Sequence, residues 1–504
     1  FIHMPAGYSQ LVPESNDQNY GFETEAEPNL GGRQMYWPRG RGWGGSSSIN
    51  AMVYIRGNAY DYDHWSQLGN QGWSYESVLP YFKRAEDFSG DGDEEYHGHG
   101  GPLSVQKSTR TNDELLDVFV KAGQQAGIPF TKDFNGKSQE GVSRYEHTIR
   151  GSKRCSAARG YLHPALERKN LHTQTDVTVE RIEFEAKKAT GVTFSRKGKC
   201  VTVKANREVI LSAGALNSPQ IMLRSGVGPA DEIKPHGLEV VHELAGVGRN
   251  LQDHYGVVSQ FACTQPVTLH RSAAWWRTQL AGVQYLLLGK GDASFPPTAA
   301  GAFFKSSDEK AVCDMQIHYV SVAVPDVHGR SDIPTSHGFS SIVYGCRPES
   351  RGHLGLKSAS LEDIPAIYPN YLAVEQDVID IRNGFRKTRD IFLQKAFDPY
   401  RGEQMKPTKD VNVDDDDELD AWIRATGETL YHPVGTCKMG SDKMAVTNEH
   451  GQVHGLEGLR VVDASLMPTL ISGNTNAPTI MMAEKISDHI RGRKFLSPQQ
   501  IAAE

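Results

Sequence analysis

The segment Tyr431-His432-Pro433-Val434-Gly435-Thr436-Cys437 and the later Gly473-Asn474-Thr475-Asn476 hold residue types suited to chemistry at a hydroxyl group. A neutral imidazole accepts a proton near pH 7, and a carboxamide donates a hydrogen bond without titrating. His432 and Asn476, 44 residues apart, are the pair singled out as base and donor. Asn474 is a second candidate for the donor and reads first as support for its own loop.

A further ligand-facing tract lies near the start: Arg39-Gly40-Arg41-Gly42-Trp43-Gly44-Gly45-Ser46-Ser47-Ser48-Ile49-Asn50. Glycines let backbone amides approach a ligand, and serines add hydroxyl donors. A flexible loop would have the same composition. The continuation Asn50-Ala51-Met52-Val53-Tyr54-Ile55-Arg56-Gly57 makes the tract more specific.

The elements that must position these segments can be read from periodicity. Tyr75 to Ala85 and Asn112 to Gly127 have helical spacing, and residues 86–104, rich in Gly, Asp and His, read as an exposed loop. From His172 to Leu211 apolar residues alternate as in short strands, ending in the compact buried strand Arg207 to Leu211. Ser212-Ala213-Gly214-Ala215 and a helical Pro219 to Arg224 follow, a strand–turn–helix order that brings backbone close to a phosphate-bearing ligand. Residues 256–424, with strand-like Met315 to Val322 and Ser340 to Gly345, predict a second domain around an antiparallel sheet. A buried strand, Leu459 to Asp463, is expected near the end.

At 504 residues the chain predicts two or three domains with large cores. Lys plus Arg number 54 against 61 Asp plus Glu, and this mild acidity argues against a nucleic-acid partner. The run Asp414 to Glu418 reads as a solvated entry to a helix. Cys155, Cys200, Cys263, Cys313, Cys346 and Cys437 have no metal-ligand spacing, so no metal site is expected. Free thiols in a reducing compartment suit them, and Cys437 reads as a small buried residue. No stretch reaches the roughly 18 apolar residues of a membrane span, and no signal peptide is visible. A cytoplasmic or membrane-peripheral location is expected, and homo-oligomerisation is compatible with the sequence.

The glycine–serine tract resembles the first signature of the glucose–methanol–choline (GMC) family of flavin oxidoreductases. Gly214-Ala215-Leu216-Asn217-Ser218-Pro219-Gln220-Ile221-Met222-Leu223-Arg224-Ser225-Gly226-Val227-Gly228 resembles its second. Gly246 to His254, with Asn250-Leu251-Gln252-Asp253-His254, and Val461-Val462-Asp463-Ala464-Ser465-Leu466-Met467-Pro468 are further landmarks, and the choline dehydrogenase-like branch is the nearest subgroup. The resemblance implies an α/β fold with an α+β substrate part: an FAD-binding domain (1–60, 156–255 and 425–495) and a substrate domain with connecting lid (61–155 and 256–424) on a large antiparallel sheet. It also implies oxidation of a primary alcohol to an aldehyde, with a base and a hydrogen-bond donor at the hydroxyl and hydride transfer to flavin N5. Oxygen, a quinone or another carrier then takes up the electrons.

By motif position, Gly44, Gly45 and Ser46 approach the flavin and pyrophosphate, and Asn50, Ala51, Met52 and Val53 the isoalloxazine. Val179 resembles a valine whose backbone pairs with adenine, and Ser212, Ala213 and Gly214 pass beside the ADP moiety. Asp463 and Ala464 face the pyrophosphate and ribityl chain, and Arg41, Asn474 and Ala477 complete the implied cofactor contacts. Where some relatives link flavin covalently through histidine, this chain has Ile49, so FAD is expected to be non-covalent. Family members open with a strand and Gly-x-Gly-x-x-Gly turn; Phe1 to Gly7 resembles the segment just after these. A chain beginning there is expected to hold FAD weakly or to be a piece of a longer protein.

Choline-specific members carry a glutamate where Pro296-Pro297-Thr298-Ala299-Ala300-Gly301-Ala302-Phe303 has Ala299. A neutral alcohol is therefore expected over choline, although Trp275 and Trp276 could contribute to an aromatic cage. The alternatives are a hydroxynitrile-lyase-like enzyme on the same fold, a choline dehydrogenase, and an FAD-deficient fragment.

Overall fold

The computed structural model describes residues 1–107, 113–272, 275–324 and 336–501, apart from the side chains of 271–276. The Trp275 and Trp276 side chains, candidate parts of an aromatic cage, therefore lie outside the described residues.

A seven-stranded antiparallel sheet dominates the second half of the fold. Its path runs Arg401–Lys406, Tyr255–Cys263, Gly338–Gly345, Met315–Val320, Ala300–Phe304 and Gly141–Arg144, and Glu428–Thr429 pairs beside Tyr255. The Met315–Val320 and Ala300–Phe304 strands are buried at every position. Helix Glu375–Leu393 covers one face because its apolar residues recur at helical spacing: Val378, Ile381, Phe385, Thr388, Ile391 and Phe392 are buried. Gly384 brings helix and sheet together, since a Cβ there would sit 2.2 Å from Met315 Cε.

The other half is built on a meander of Thr178–Glu185, Lys188–Arg196 and Lys199–Lys204. Beside it, Val209–Leu211 pairs in parallel with Leu459–Val461. The expected strand ending at Leu211 is present but shorter, and Ile210 at its centre is 45% exposed rather than buried. Helix Gly214–Arg224 begins five residues before the expected start. Its first turn is anchored by Ser218, whose hydroxyl accepts from the Ala213 N–H at 2.9 Å. Asp415 caps helix Asp416–Thr426 by accepting from the Glu418 N–H at 3.0 Å, the role expected of that acidic run.

Residues 86–104 depart from the exposed loop that their composition suggests. They contain strand Glu86–Ser89 and start strand Leu103–Lys107, and Glu86 and His97 are buried. The reason is mutual compensation: Arg56 meets Glu86 at 2.6 Å, and His97 meets Asp133 at 2.8 Å. Among the described residues no helix is long and apolar enough to cross a membrane. All six cysteines are unpaired, and Cys200 alone among them is exposed.

Phe392 locks the helix to the sheet, with its ring 5.5 Å from Phe261, 5.0 Å from Phe339 and 5.3 Å from Phe397. Phe392→Ala should cost about 3–5 kcal/mol through lost burial and an unfilled cavity. A thermal-melt midpoint within a degree of the parent would show that the cluster collapses around the gap.

Candidate active site

His432 is delivered by a short strand and a strained turn. Glu428–Thr429 is zipped to Tyr255 and Gly256, which fixes the chain just before the histidine. Tyr431 then takes φ +69°, an unfavourable value for a bulky residue. Three bonds hold the turn: Arg39 Nη2 donates to the Tyr431 carbonyl at 2.7 Å, the Tyr431 N–H donates to Thr429 Oγ1 at 2.9 Å, and the His432 N–H donates to Asp253 Oδ1 at 2.7 Å. Asp253 also accepts from Thr429 and Tyr371, and burial raises its carboxyl to about 6.

The His432 ring lies among polar side chains inside the core. Its Nδ1 is 2.8 Å from His254 Nδ1, and its Nε2 is 3.2 Å from Asn474 Nδ2. Burial, then the neighbouring His254, His318 and Arg39, holds the ring well below the usual histidine range, so it is neutral. Burial likewise lowers His254 to about 4 and His318 to about 3.

The donor that reaches His432 is Asn474. Asn474, expected to support its own loop and named as the second candidate for the donor, is the carboxamide that stands against this ring. Asn474 Oδ1 also accepts from Gln316 Nε2 at 3.2 Å, which ties it to the sheet. Ser472 fixes the loop: its N–H donates to Asp61 Oδ2 at 2.7 Å, and its hydroxyl meets both Asp61 and Arg347. Asn476 is the first residue of helix Asn476–Ile490 and is half-buried, while the following Ala477 is fully buried.

The glycine–serine tract turns through left-handed glycines. Gly42, Gly44 and Gly45 have φ of +104°, +87° and +52°, and a Cβ on Gly42 or Gly45 would enter open space. Ser46 Oγ accepts from the Gly40 N–H at 3.1 Å, closing the turn. Arg41 is exposed and lies over the Tyr20 ring. Asn50 accepts from the Met52 N–H at 3.1 Å, bending the chain so that Met52 takes φ +62°. Met52 and Val53 are buried, Ala51 is half-buried, and Val53 bridges to His147.

Arg154 fastens this tract from below. Its Nη1 donates to the Asn50 carbonyl at 2.6 Å, Asn50 Oδ1 at 2.8 Å and the Ser47 carbonyl at 3.3 Å. The side chain is 1% exposed, and among the described residues it makes no ion pair with a carboxylate and leaves Nη2 without a hydrogen-bond partner. Burial lowers its guanidinium to about 9.

On the far side, Ser212 and Ala213 are exposed, and Gly214, at φ +85° with open space where a Cβ would stand, begins an 11-residue helix. Asp463 joins this helix to the parallel strands, its Oδ2 accepting from the Gly214 N–H at 2.9 Å and from Ser218, its Oδ1 from Ser465. Its carboxylate is held by these partners, and Ala464 follows at the half-buried start of a short turn. Val179 is half-buried, and its carbonyl accepts from Arg224 Nη2 at 3.2 Å.

Sequence models of the GMC oxidoreductase family match residues 17–256 and 348–483. This chain belongs to that family. It is 44% identical over 502 residues to oxygen-dependent choline dehydrogenase 1 of Chromohalobacter salexigens, covering 99% of this chain and 89% of that protein. It is 45% identical over 500 residues to mitochondrial choline dehydrogenase of Homo sapiens, covering 98% and 82%. The solved pyridoxine 4-oxidase from Mesorbium loti superposes with a TM-score of 0.87 at 28% identity, covering 98% of this chain and 92% of that one. A formate oxidase structure shares the fold at 0.89 and 22% identity, covering 97% and 91%.

The protein is thus an FAD-dependent oxidoreductase acting on CH–OH groups. The residues present fit the cofactor: open positive-φ glycines, a helix N-terminus at Gly214, and a buried arginine lacking a counter-charge. Sequence reading left His254, Gln316, His318, Tyr344 and Arg154 unassigned. The usable signal was polar residues inside apolar strands, as in Met315-Gln316-Ile317-His318-Tyr319-Val320.

Arg154→Met should weaken FAD retention about 10-fold or more, because the Asn50 and Ser47 carbonyls lose their donor. Flavin absorbance per chain during dilution measures this. Parent-like retention would mean that the tract holds its shape without the guanidinium.

Proposed function

We propose that the chain oxidises a neutral primary alcohol to the aldehyde, with His432 as base and Asn474 as hydrogen-bond donor to the oxygen. The observation that carries this is the pairing of a buried neutral imidazole with a carboxamide donor at 3.2 Å. FAD, when bound, accepts the hydride from the alcohol carbon. An alcohol O–H entering the site takes the place of Asn474 Nδ2 at His432 Nε2, and the proton passes to that nitrogen. The displaced Asn474 N–H turns to the oxygen as negative charge builds there. Asn476, the first residue of the following helix, is the second candidate for this donation.

Burial without a carboxylate on the ring keeps His432 ready as a base below the ordinary histidine range. Ile49, 4% exposed, offers no nucleophile, which supports non-covalent FAD. Six unpaired cysteines support a reducing compartment.

Ala299, fully buried where choline-specific relatives have glutamate, supports a neutral substrate. Choline is the second reading, favoured by choline dehydrogenase relatives at 44–45% identity over nearly the whole chain.

His432→Ala should keep FAD but lower the limiting rate of anaerobic flavin reduction on the order of 10²-fold or more. Asn474→Ala should slow the same step more than Asn476→Ala, and the opposite ranking assigns the donor to Asn476.

Choline and its uncharged isostere 3,3-dimethylbutan-1-ol separate the substrate readings, having one shape and different charge. The isostere should match or exceed choline in kcat/KM in a dye-linked assay. A preference of about 100-fold for choline would establish the second reading. Acid precipitation should leave flavin colour in the supernatant, and colour in the pellet would show a covalent link.

A further inference from the structure

The assignment of His432 as base leaves open which ring nitrogen carries the proton, and the surrounding network answers it. His254 Nε2 is 2.8 Å from the Cys346 carbonyl, and the Ile471 carbonyl also faces this ring. A carbonyl only accepts, so Nε2 carries a hydrogen. His254 is buried and neutral, so its other nitrogen, Nδ1, is a lone pair. That lone pair is 2.8 Å from His432 Nδ1, which must therefore be the donor. His432 is also neutral, and its lone pair falls on Nε2.

The opposite end of the network gives the same result independently. Tyr145 donates its only hydroxyl hydrogen to the Ile317 carbonyl at 2.7 Å, so its oxygen can only accept from Gln316 Nε2 at 3.0 Å. This fixes the Gln316 amide, whose oxygen accepts from the Tyr344 hydroxyl. Gln316 Nε2 also faces Asn474 Oδ1, which leaves Asn474 Nδ2 to point at His432 Nε2 as donor. The Cys346 and Ile317 carbonyls, at separate ends of the network, thus point to one tautomer.

We infer that His254 is a positioning residue that fixes His432 as the Nδ1–H tautomer and so presents the Nε2 lone pair to the alcohol. It rests on the proposed base role of His432. A neutral imidazole free to choose would populate both tautomers, and the one with hydrogen on Nε2 cannot take a proton there. Among the described residues no hydrogen bond joins His254 to Asn474, and the bonds that link them run through the His432 ring.

The test uses the FAD-loaded full chain. His254→Leu removes both the acceptor for His432 and the donor to Cys346, whereas His254→Gln can restore one of each. His254→Leu should lower the limiting rate of anaerobic flavin reduction about 100-fold, with flavin content and substrate Kd changed less than about threefold. His254→Gln should recover the rate to within about 10-fold of the parent. In protein labelled with 15N-histidine, the signals absent from His432→Ala identify the ring. They should show protonated Nδ1 and bare Nε2 in the parent, and loss of that pattern in His254→Leu.

A parent-like tautomer signature in His254→Leu, or a glutamine variant as slow as the leucine one, would overturn the inference while a slow His432→Ala left the base assignment standing. Undiminished flavin reduction in His432→Ala would overturn both.

Discussion

Three histidines are buried together, and none of their rings meets a carboxylate: His254, His318 and His432 bond to one another's surroundings, to carbonyls, and to tyrosine and amide groups. Burial makes charging any of them costly, so all three stay neutral. A neutral ring has one hydrogen and one lone pair, which gives every bond in the cluster a direction. The directions originate in the backbone of the antiparallel sheet. Gln316 pairs with Tyr344 across neighbouring strands, Ile317 follows Gln316, and Cys346 stands just beyond the strand that ends at Gly345. A slip of one residue would turn these side chains to the other face. Strand register therefore sets proton position, several residues away from where the chemistry is proposed.

Holding such a site has a conformational cost. Tyr431 at φ +69° and Met52 at φ +62° are each strained by about 1–3 kcal/mol, and they flank His432 and the glycine–serine tract. In both places the strain is over-determined by buried polar groups from distant segments. Arg39 and Asp253 grip the turn at Tyr431, and Arg154 with Asn50 grips the turn at Met52. The same logic explains the carboxylate of Asp463, which spends its lone pairs joining a helix to a parallel strand pair.

What could be read in advance was what is local. The glycine–serine tract, the helix over Tyr75–Ala85, the strand alternation after residue 178 and the motif around His432 depend on neighbours in sequence. The partner of His432 was not local. Asn474 lies in the loop that Asp61 and Arg347 hold through Ser472, whereas Asn476 opens the following helix, and spacing in the sequence does not separate the two. His254 gave no periodic signal, since its meaning lies in a carbonyl 92 residues away. Residues 86–104 were misread because composition reports charge but not pairing, and Glu86 and His97 have their partners at Arg56 and Asp133.

The neutrality of the histidine cluster also bears on substrate charge. Once His432 takes a proton it becomes a buried imidazolium, and a quaternary ammonium in the same site adds a second positive charge. At a separation of 5 Å and an effective dielectric constant near 20, the repulsion is about 3 kcal/mol, roughly a hundredfold in rate. Ala299, fully buried, has no carboxylate with which to offset this. Asp253 is committed to the Thr429 and Tyr371 hydroxyls and the His432 amide, so its oxygens are already engaged. A neutral alcohol avoids the repulsion altogether. Burial without a counter-charge, the feature on which the proposed base role of His432 rests, is thus also the feature on which the proposed preference for a neutral substrate rests.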